Sequence, residues 1–282
     1  MHWRKSSKHT ELSTDSAVNA PKLQVLICTC GNGLNRIDPQ GLPQIPGVEY
    51  LVSWQKSQGE VPGRLASRPD IRILHATGTG LINNRNSAFD ASSAPFLLIA
   101  DDDLSFRAEG LIEIIRLFDA DPSMGLLTFR SVRDEGQVYP PDGHDLSRPF
   151  RGYEATSFEI AVRRTNLVEY GVRFSPLAGI GAPYLCAAEE NLFVWHLLRA
   201  GVKGRFRAFD CAVHPAATTS VRRASEAPML RTKGAYAARI QNPLKALVRL
   251  PLLALRAPVA WPRAMRWLLQ GWAYGLKNRK LL

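Results

Sequence analysis

Short unbroken apolar runs, separated by polar stretches rich in glycine and proline, mark the first two-thirds of the chain. Lys22–Thr29 (KLQVLICT), Val48–Trp54 (VEYLVSW), Ile71–His75, Phe96–Ala100 and Met124–Phe129 (MGLLTF) each read as a strand buried on both faces, the pattern of a parallel sheet. Between them, LINNRNSAFDAS predicts a helix with Leu81, Ala88 and Ala91 on one side. Ala108–Asp119 carries Leu111, Ile114, Ile115 and Phe118 at i, i+3, i+4 and i+7, an amphipathic helix that Asp121-Pro122 stops. Strands alternating with helices predict βαβ units, hence an α/β fold with a mostly parallel sheet flanked by helices. Further on, Arg133–Arg151 reads as a loop, Phe158–Arg164 as a strand and Leu177–Tyr184 as a glycine-bearing loop. A helix closed by Gly201 and a strand, Gly204–Val213, ending in His214-Pro215, complete this part.

Composition adds a division of the chain. At 282 residues, 45% hydrophobic and 22% charged, it suits a soluble domain with an appendage. No run approaches the ~18 apolar residues of a spanning helix. The net charge is +11, yet no acidic residue follows Glu226, and eleven of the 36 Lys and Arg residues lie beyond it. The first 226 residues therefore hold 25 of each sign, and the tail carries the whole excess. We divide the chain into a disordered leader (1–20, with no apolar core and so not a secretory signal), a catalytic domain (21–226) and a basic helical tail (227–282). Cys28, Cys30, Cys186 and Cys211 fit neither a disulfide framework nor zinc-ligand spacing and read as free thiols of a reducing cytoplasm.

The chemistry concentrates where Phe96–Ala100 runs into Asp101, Asp102 and Asp103. In open α/β sheets ligands bind beyond the carboxyl ends of strands. Clustered carboxylates there need a counter-charge, and Mg²⁺ or Mn²⁺ held by one or two carboxylates commonly also holds substrate phosphates. An acidic turn capping the next helix is the plainer alternative. The turn after the first strand, CGNGLNRI, lacks the GxGxxG of a dinucleotide site.

Four features in order resemble the inverting GT-A glycosyltransferases of family 2: LQVLICTCGNG, then GLINNRNSAFDASSAPFLLIADDD, then EENLFVWHLLRAG, then His214 at a strand end. The second is similar to the family's Arg-Asn helix before a strand ending in DxD, the third to its Glu-Asp, helix, Gly pattern. The resemblance implies a GT-A fold and a nucleotide diphosphate sugar donor, with a UDP-sugar favoured. It implies Mn²⁺ or Mg²⁺ held by Asp103, with Asp101 and His214 as further ligands and Asp102 near the donor. It makes Glu190, with Glu189 as its rival, the general base; the pair also suits a helix N-terminus by charge alone. Arg85 and Asn86 would face the donor, Arg85 forking onto diphosphate or pairing with Asp101. Gln55 would meet the base where the family usually has an acid, and Thr29 and Asn32 are further donor contacts. Arg222 and Arg223 would close over the phosphates.

The acceptor implied is a glycan or a lipid-linked sugar in surface polysaccharide assembly. In the tail, Trp261, Trp267, Trp272 and Tyr274 alternate with cations between prolines, a pattern suited to an anionic membrane surface at the inner face of the cell membrane. A helical cap packed on the domain is the alternative, and no nucleic-acid-binding motif occurs. A non-catalytic sugar- or lipid-binding scaffold and a nucleotidyltransferase remain rival functions.

Overall fold

In the computed structural model, residues 20–132, 137–214, 227–240 and 243–280 are described. Eight strands form one sheet: β1 (Leu23–Cys30), β2 (Val48–Gln55), β3 (Ile71–Ala76), β4 (Phe96–Asp101), β5 (Ser105–Phe106), β6 (Met124–Val132), β7 (Ile160–Arg163) and β8 (Lys203–Val213). Their order is β3-β2-β1-β4-β7-β6-β8-β5. The block β3-β2-β1-β4 is parallel throughout, and β6 and β8 are parallel to each other. Strand β7 joins the two blocks by pairing antiparallel with both β4 and β6. The predicted strand over Phe158–Arg164 is thus shorter, because Ser157–Glu159 is a 3-10 turn closed by a Thr156/Glu159 capping box.

Helices cover both faces, as the unbroken apolar strands require. On one face Leu23, Val25, Ile27, Tyr50, Phe96 and Leu98 pack against Leu111, Ile114 and Phe118 of α3 (Ala108–Ala120). On the other, Leu26, Leu51, Leu97 and Ile99 meet Ile82 and Phe89 of α2 (Leu81–Ala91) and Phe193 and Leu197 of α5 (Glu189–Arg199). Two short helices, α1 (Gly63–Ala66) and α4 (Arg164–Glu169), complete the body.

Helix α2 departs from its predicted face. Its buried residues are Ile82, Asn84, Arg85, Ala88 and Phe89, so two polar side chains point at the sheet while Leu81 is only partly covered. Those two side chains build the site described below.

The tail folds as three helices, α6 (Ala227–Ile240), α7 (Pro243–Leu255) and α8 (Trp261–Lys277). Glycines let α6 and α8 touch backbone to backbone. A Cβ at Gly271 would collide with the Arg231 carbonyl, and one at Gly275 would sit 2.8 Å from that of Ala235. The pair docks on the body, where Tyr274 stacks on Tyr184 at 4.4 Å, Arg239 lies 4.0 Å from the Trp195 ring and Thr232 accepts from the Cys186 amide at 3.0 Å. The four tail aromatics divide, and Trp261 is exposed. Trp267 and Trp272 are half-buried against the tail's own core of Leu230, Leu250, Ala254, Ala264 and Leu268, and Tyr274 is spent on the body.

Candidate active site

Register decides which residues share the sheet's rim. Thr29 pairs with Trp54, Cys30 with Gln55, and Cys28 with Asp101. The carboxyl ends of β1, β2 and β4 therefore converge, bringing Thr29, Gln55 and the three aspartates to one edge.

The aspartates have three different surroundings. Asp102 is buried and holds the turn after β1: Thr29 Oγ1 donates to its Oδ2, and Arg36 Nη2 reaches the same carboxylate at 2.6–2.7 Å. Burial pushes its pKa up, with Arg36 and Thr29 opposing. Thr29 thus meets the rim through Asp102. Gly33 closes this cradle, since a Cβ there would lie 2.5 Å from both Asp102 Oδ2 and Thr29 Oγ1. A Gly33→Ala variant should push the turn away from Asp102 and destabilise the fold by about 1–3 kcal/mol, as denaturant midpoints would measure. Asp101 accepts from Ser157 Oγ at 3.0 Å and from Arg85 Nη2 at 3.3 Å. Asp103 is more exposed, at 40%, and its Oδ1 lies 3.9 Å from His214 Nε2. The His214 ring is oriented by stacking on Phe158, 5.4 Å between centroids.

Arg85 joins this edge to α5. It is 2% exposed; Nη1 donates to Glu190 Oε1 at 2.8 Å and lies 3.8 Å from Glu189 Oε1, while Nη2 reaches Asp101. Its face rests on the Phe174 ring at 5.2 Å. Burial alone would lower its pKa, but Glu190, Asp101 and Glu189 outweigh that and hold the guanidinium charged. Asn86, expected at the donor, instead exchanges two hydrogen bonds with the Phe174 backbone, both 3.0 Å, and so fixes the ring beneath Arg85.

The two glutamates differ in access. Glu189 has a side chain 5% exposed; Glu190 has 18%. Burial, with Glu190's charge adding, pushes the Glu189 carboxyl up to about 8. The fit over Glu189 is tight: a Cβ at Gly179, whose φ is +108°, would lie 2.9 Å from its Cδ. The helix start itself is unusual, with Ala188 in the left-handed region at φ 72°.

Gln55 is buried at the end of β2, and its Nε2 has no hydrogen-bond partner among the described residues. Asn32 is exposed on the turn after β1. Arg222 and Arg223 lie outside the described residues. Residues the sequence reading passed over are Arg36, Ser157, Phe174, Gly179 and Asn84, whose Nδ2 donates to the Thr29 carbonyl at 2.9 Å while its Oδ1 accepts from Ser53. The buried polar face of α2 could have flagged Asn84, since Asn84, Arg85 and Ala88 are neighbours at helical spacing.

The Glycosyl transferase family 2 model matches residues 54–171. The match covers less than half of the chain. It contains Arg85 and all three aspartates and ends before the glutamates of α5. No curated protein matches the sequence. Among solved structures, Staphylococcus aureus TarS 1-349 in complex with UDP-GlcNAc is 15% identical at a TM-score of 0.55, over 92% of this chain and 72% of that one. The mannosyltransferase PcManGT from Pyrobaculum calidifontis, in complex with GDP-Man and Mn²⁺, is 15% identical at a TM-score of 0.52, over 93% of this chain and 73% of that one. The fold is the GT-A fold, and the chain is a glycosyltransferase, as its four ordered motifs imply.

Proposed function

We propose that this glycosyltransferase moves a sugar from a nucleoside diphosphate to a hydroxyl acceptor by single displacement, with inversion. The observation that carries the reading is Arg85, whose two terminal nitrogens reach Glu190 on α5 and Asp101 at the rim. One guanidinium thus ties the candidate base to the donor edge, so both halves of a displacement fall within one site.

Glu190 is the better placed base, because its carboxylate is partly open and Arg85 holds it in position. It would take the acceptor proton as the hydroxyl attacks the anomeric carbon. Glu189, sealed beneath Gly179, would support it. Gln55 Nε2 offers a buried donor to a carbonyl of the base, which suits uracil, the base of the UDP-GlcNAc bound by TarS. Asn32 would reach the donor from the exposed turn.

A divalent cation fits the residues present. Asp103 Oδ1 and His214 Nε2, 3.9 Å apart, can share one ion at ordinary ligand distances of about 2.0–2.2 Å each. Asp101 completes the acidic edge. No group of three or more His, Cys, Asp or Glu side chains able to hold a metal occurs among the described residues, so diphosphate oxygens would supply the remaining ligands. The ion, Mn²⁺ or Mg²⁺, would supply charge neutralisation for the leaving diphosphate. Arg36, joined to Asp102 and 62% exposed, adds positive charge on the same side.

The acceptor we propose is a glycan or lipid-linked sugar, met at an anionic membrane surface where the acid-free tail sits. Asp103→Ala should lower UDP release from UDP-sugar with Mn²⁺ by about 100-fold or more. Release of pyrophosphate instead would mark a nucleotidyltransferase, and donor binding without turnover a scaffold.

A further inference from the structure

Helix α7 is apolar on two sides, and among the described residues one of them forms part of the tail's core. Ala246, Leu250 and Ala254 are buried against α6 and α8. The outward side carries Leu244, Val248, Leu252 and Leu255, exposed by 73%, 76%, 59% and 69%. At about 100° per residue these four fall within a sector of about 80°. Lys245 and Arg249 fall in the next sector, about 100–140° from Leu244, Arg256 follows the helix directly, and all three are exposed. We infer that this face of α7 lies in an anionic lipid bilayer, its leucine stripe in the acyl boundary and its cation edge among the headgroups.

The inference rests on the tail meeting an anionic membrane, as proposed above, and moves the contact from the tryptophans to α7. Three features select a bilayer as the occupant. Largely exposed aliphatic side chains in one row are what an interfacial helix buries. The edge is wholly cationic, and no acidic residue occurs from Ala227 to Leu282, so the face complements anionic headgroups. A second copy docking through the same face would bring cation edge to cation edge with no carboxylate between them. The mode is interfacial. The helix has 13 residues, about 20 Å, against a hydrocarbon core of about 30 Å, and no described helix is long and apolar enough to cross a membrane.

The body's acceptor side is tied to this platform. Tyr184, in the loop that carries Gly179 over Glu189, stacks on Tyr274 of α8 and under Arg231 of α6. A bilayer held by α7 would therefore be held in a fixed relation to the base.

The test is sedimentation of the full-length protein with vesicles of phosphatidylcholine alone or with 30% phosphatidylglycerol, at low and high salt. The parent should sediment with the anionic vesicles and lose most of that binding in high salt. Val248→Glu/Leu252→Glu, at exposed positions, should cut binding at least tenfold while donor turnover with a soluble acceptor is unchanged. Lys245→Gln/Arg249→Gln should remove part of the salt-sensitive fraction. Parental binding by the Val248/Leu252 variant overturns the α7 face while leaving a membrane-bound tail standing. A parent that does not sediment overturns both. A parent dimer that the Val248/Leu252 variant converts to monomer overturns the bilayer in favour of self-association. None of these bears on sugar transfer, which the UDP-release assay judges separately.

Discussion

Arg85→Met is expected to destabilise the fold by about 3–5 kcal/mol and to abolish detectable transfer. Methionine keeps an apolar stem but ends short of Cζ, the atom that lies over Phe174, so the change removes the charge, its hydrogen bonds and that ring contact. What is left is Glu189, buried, beside Glu190 and near Asp101, with no cation among them. Breaking one partner out of a buried ionic cluster is far costlier than an exposed pair would suggest, because the remaining charges cannot return to water. With Glu189 already holding its proton at neutral pH, Glu190 would respond by taking one up, which disarms the candidate base at the same time. Denaturant midpoints at neutral pH measure the first effect, and UDP release measures the second. Arg85→Lys should recover part of the stability but little activity, since one ammonium cannot reach Glu190 and Asp101 as a planar fork does. A midpoint for Arg85→Met equal to the parent's would show that the three carboxylates do not depend on this cation.

The buried strands were the most legible part of the chain. A run such as Phe96–Ala100 has no polar alternative to burial, and its two-faced core is what the structure contains. The order of strands was not legible, because β7 pairs with β4 and β6 through contacts more than thirty residues apart. Helix α2 misled for a definite reason: apolar periodicity assumes that polar side chains seek water, and here Asn84 and Arg85 are buried against partners on β1, β4 and α5. The rim aspartates could be located, but not told apart. What separates them is Arg36 and Thr29 around Asp102, Ser157 and Arg85 on Asp101, and His214 facing Asp103. No spacing rule reaches Arg36 or Ser157, which are ordinary residues of a turn and a loop. The tail aromatics show the same limit. Tryptophan beside arginine suits a membrane interface and a helix–helix contact equally, and only the Gly234, Gly271 and Gly275 approaches decide that α6 and α8 spend Trp272 and Tyr274 on each other and on the body.

Exchanging each glutamate of α5 for glutamine should separate their roles. Glu190→Gln is expected to lower kcat about 10²–10⁴-fold across the pH range, because the amide has no site for the acceptor proton. Glu189→Gln should cost far less, since at neutral pH a carboxyl raised to about 8 is already protonated and the amide imitates it. The two should differ in stability as well. In the folded chain Glu189 keeps its proton well above the ordinary 4.5. Between about 4.5 and 8 the folded state therefore binds more protons than the unfolded one, and stability from this site falls as pH rises through that window. The sign is opposite to that of a salt-bridged carboxylate, because burial outweighs Arg85 here. Glu189→Gln removes the ionisation, so its melting temperature should exceed the parent's at pH 8.5 and match it at pH 4.5. If instead Glu189→Gln kills turnover and Glu190→Gln keeps it, the base is the sealed carboxyl. The loop bearing Gly179 must then open before an acceptor can reach it, and a Gly179→Ala variant, strained at φ +108°, would change KM before kcat.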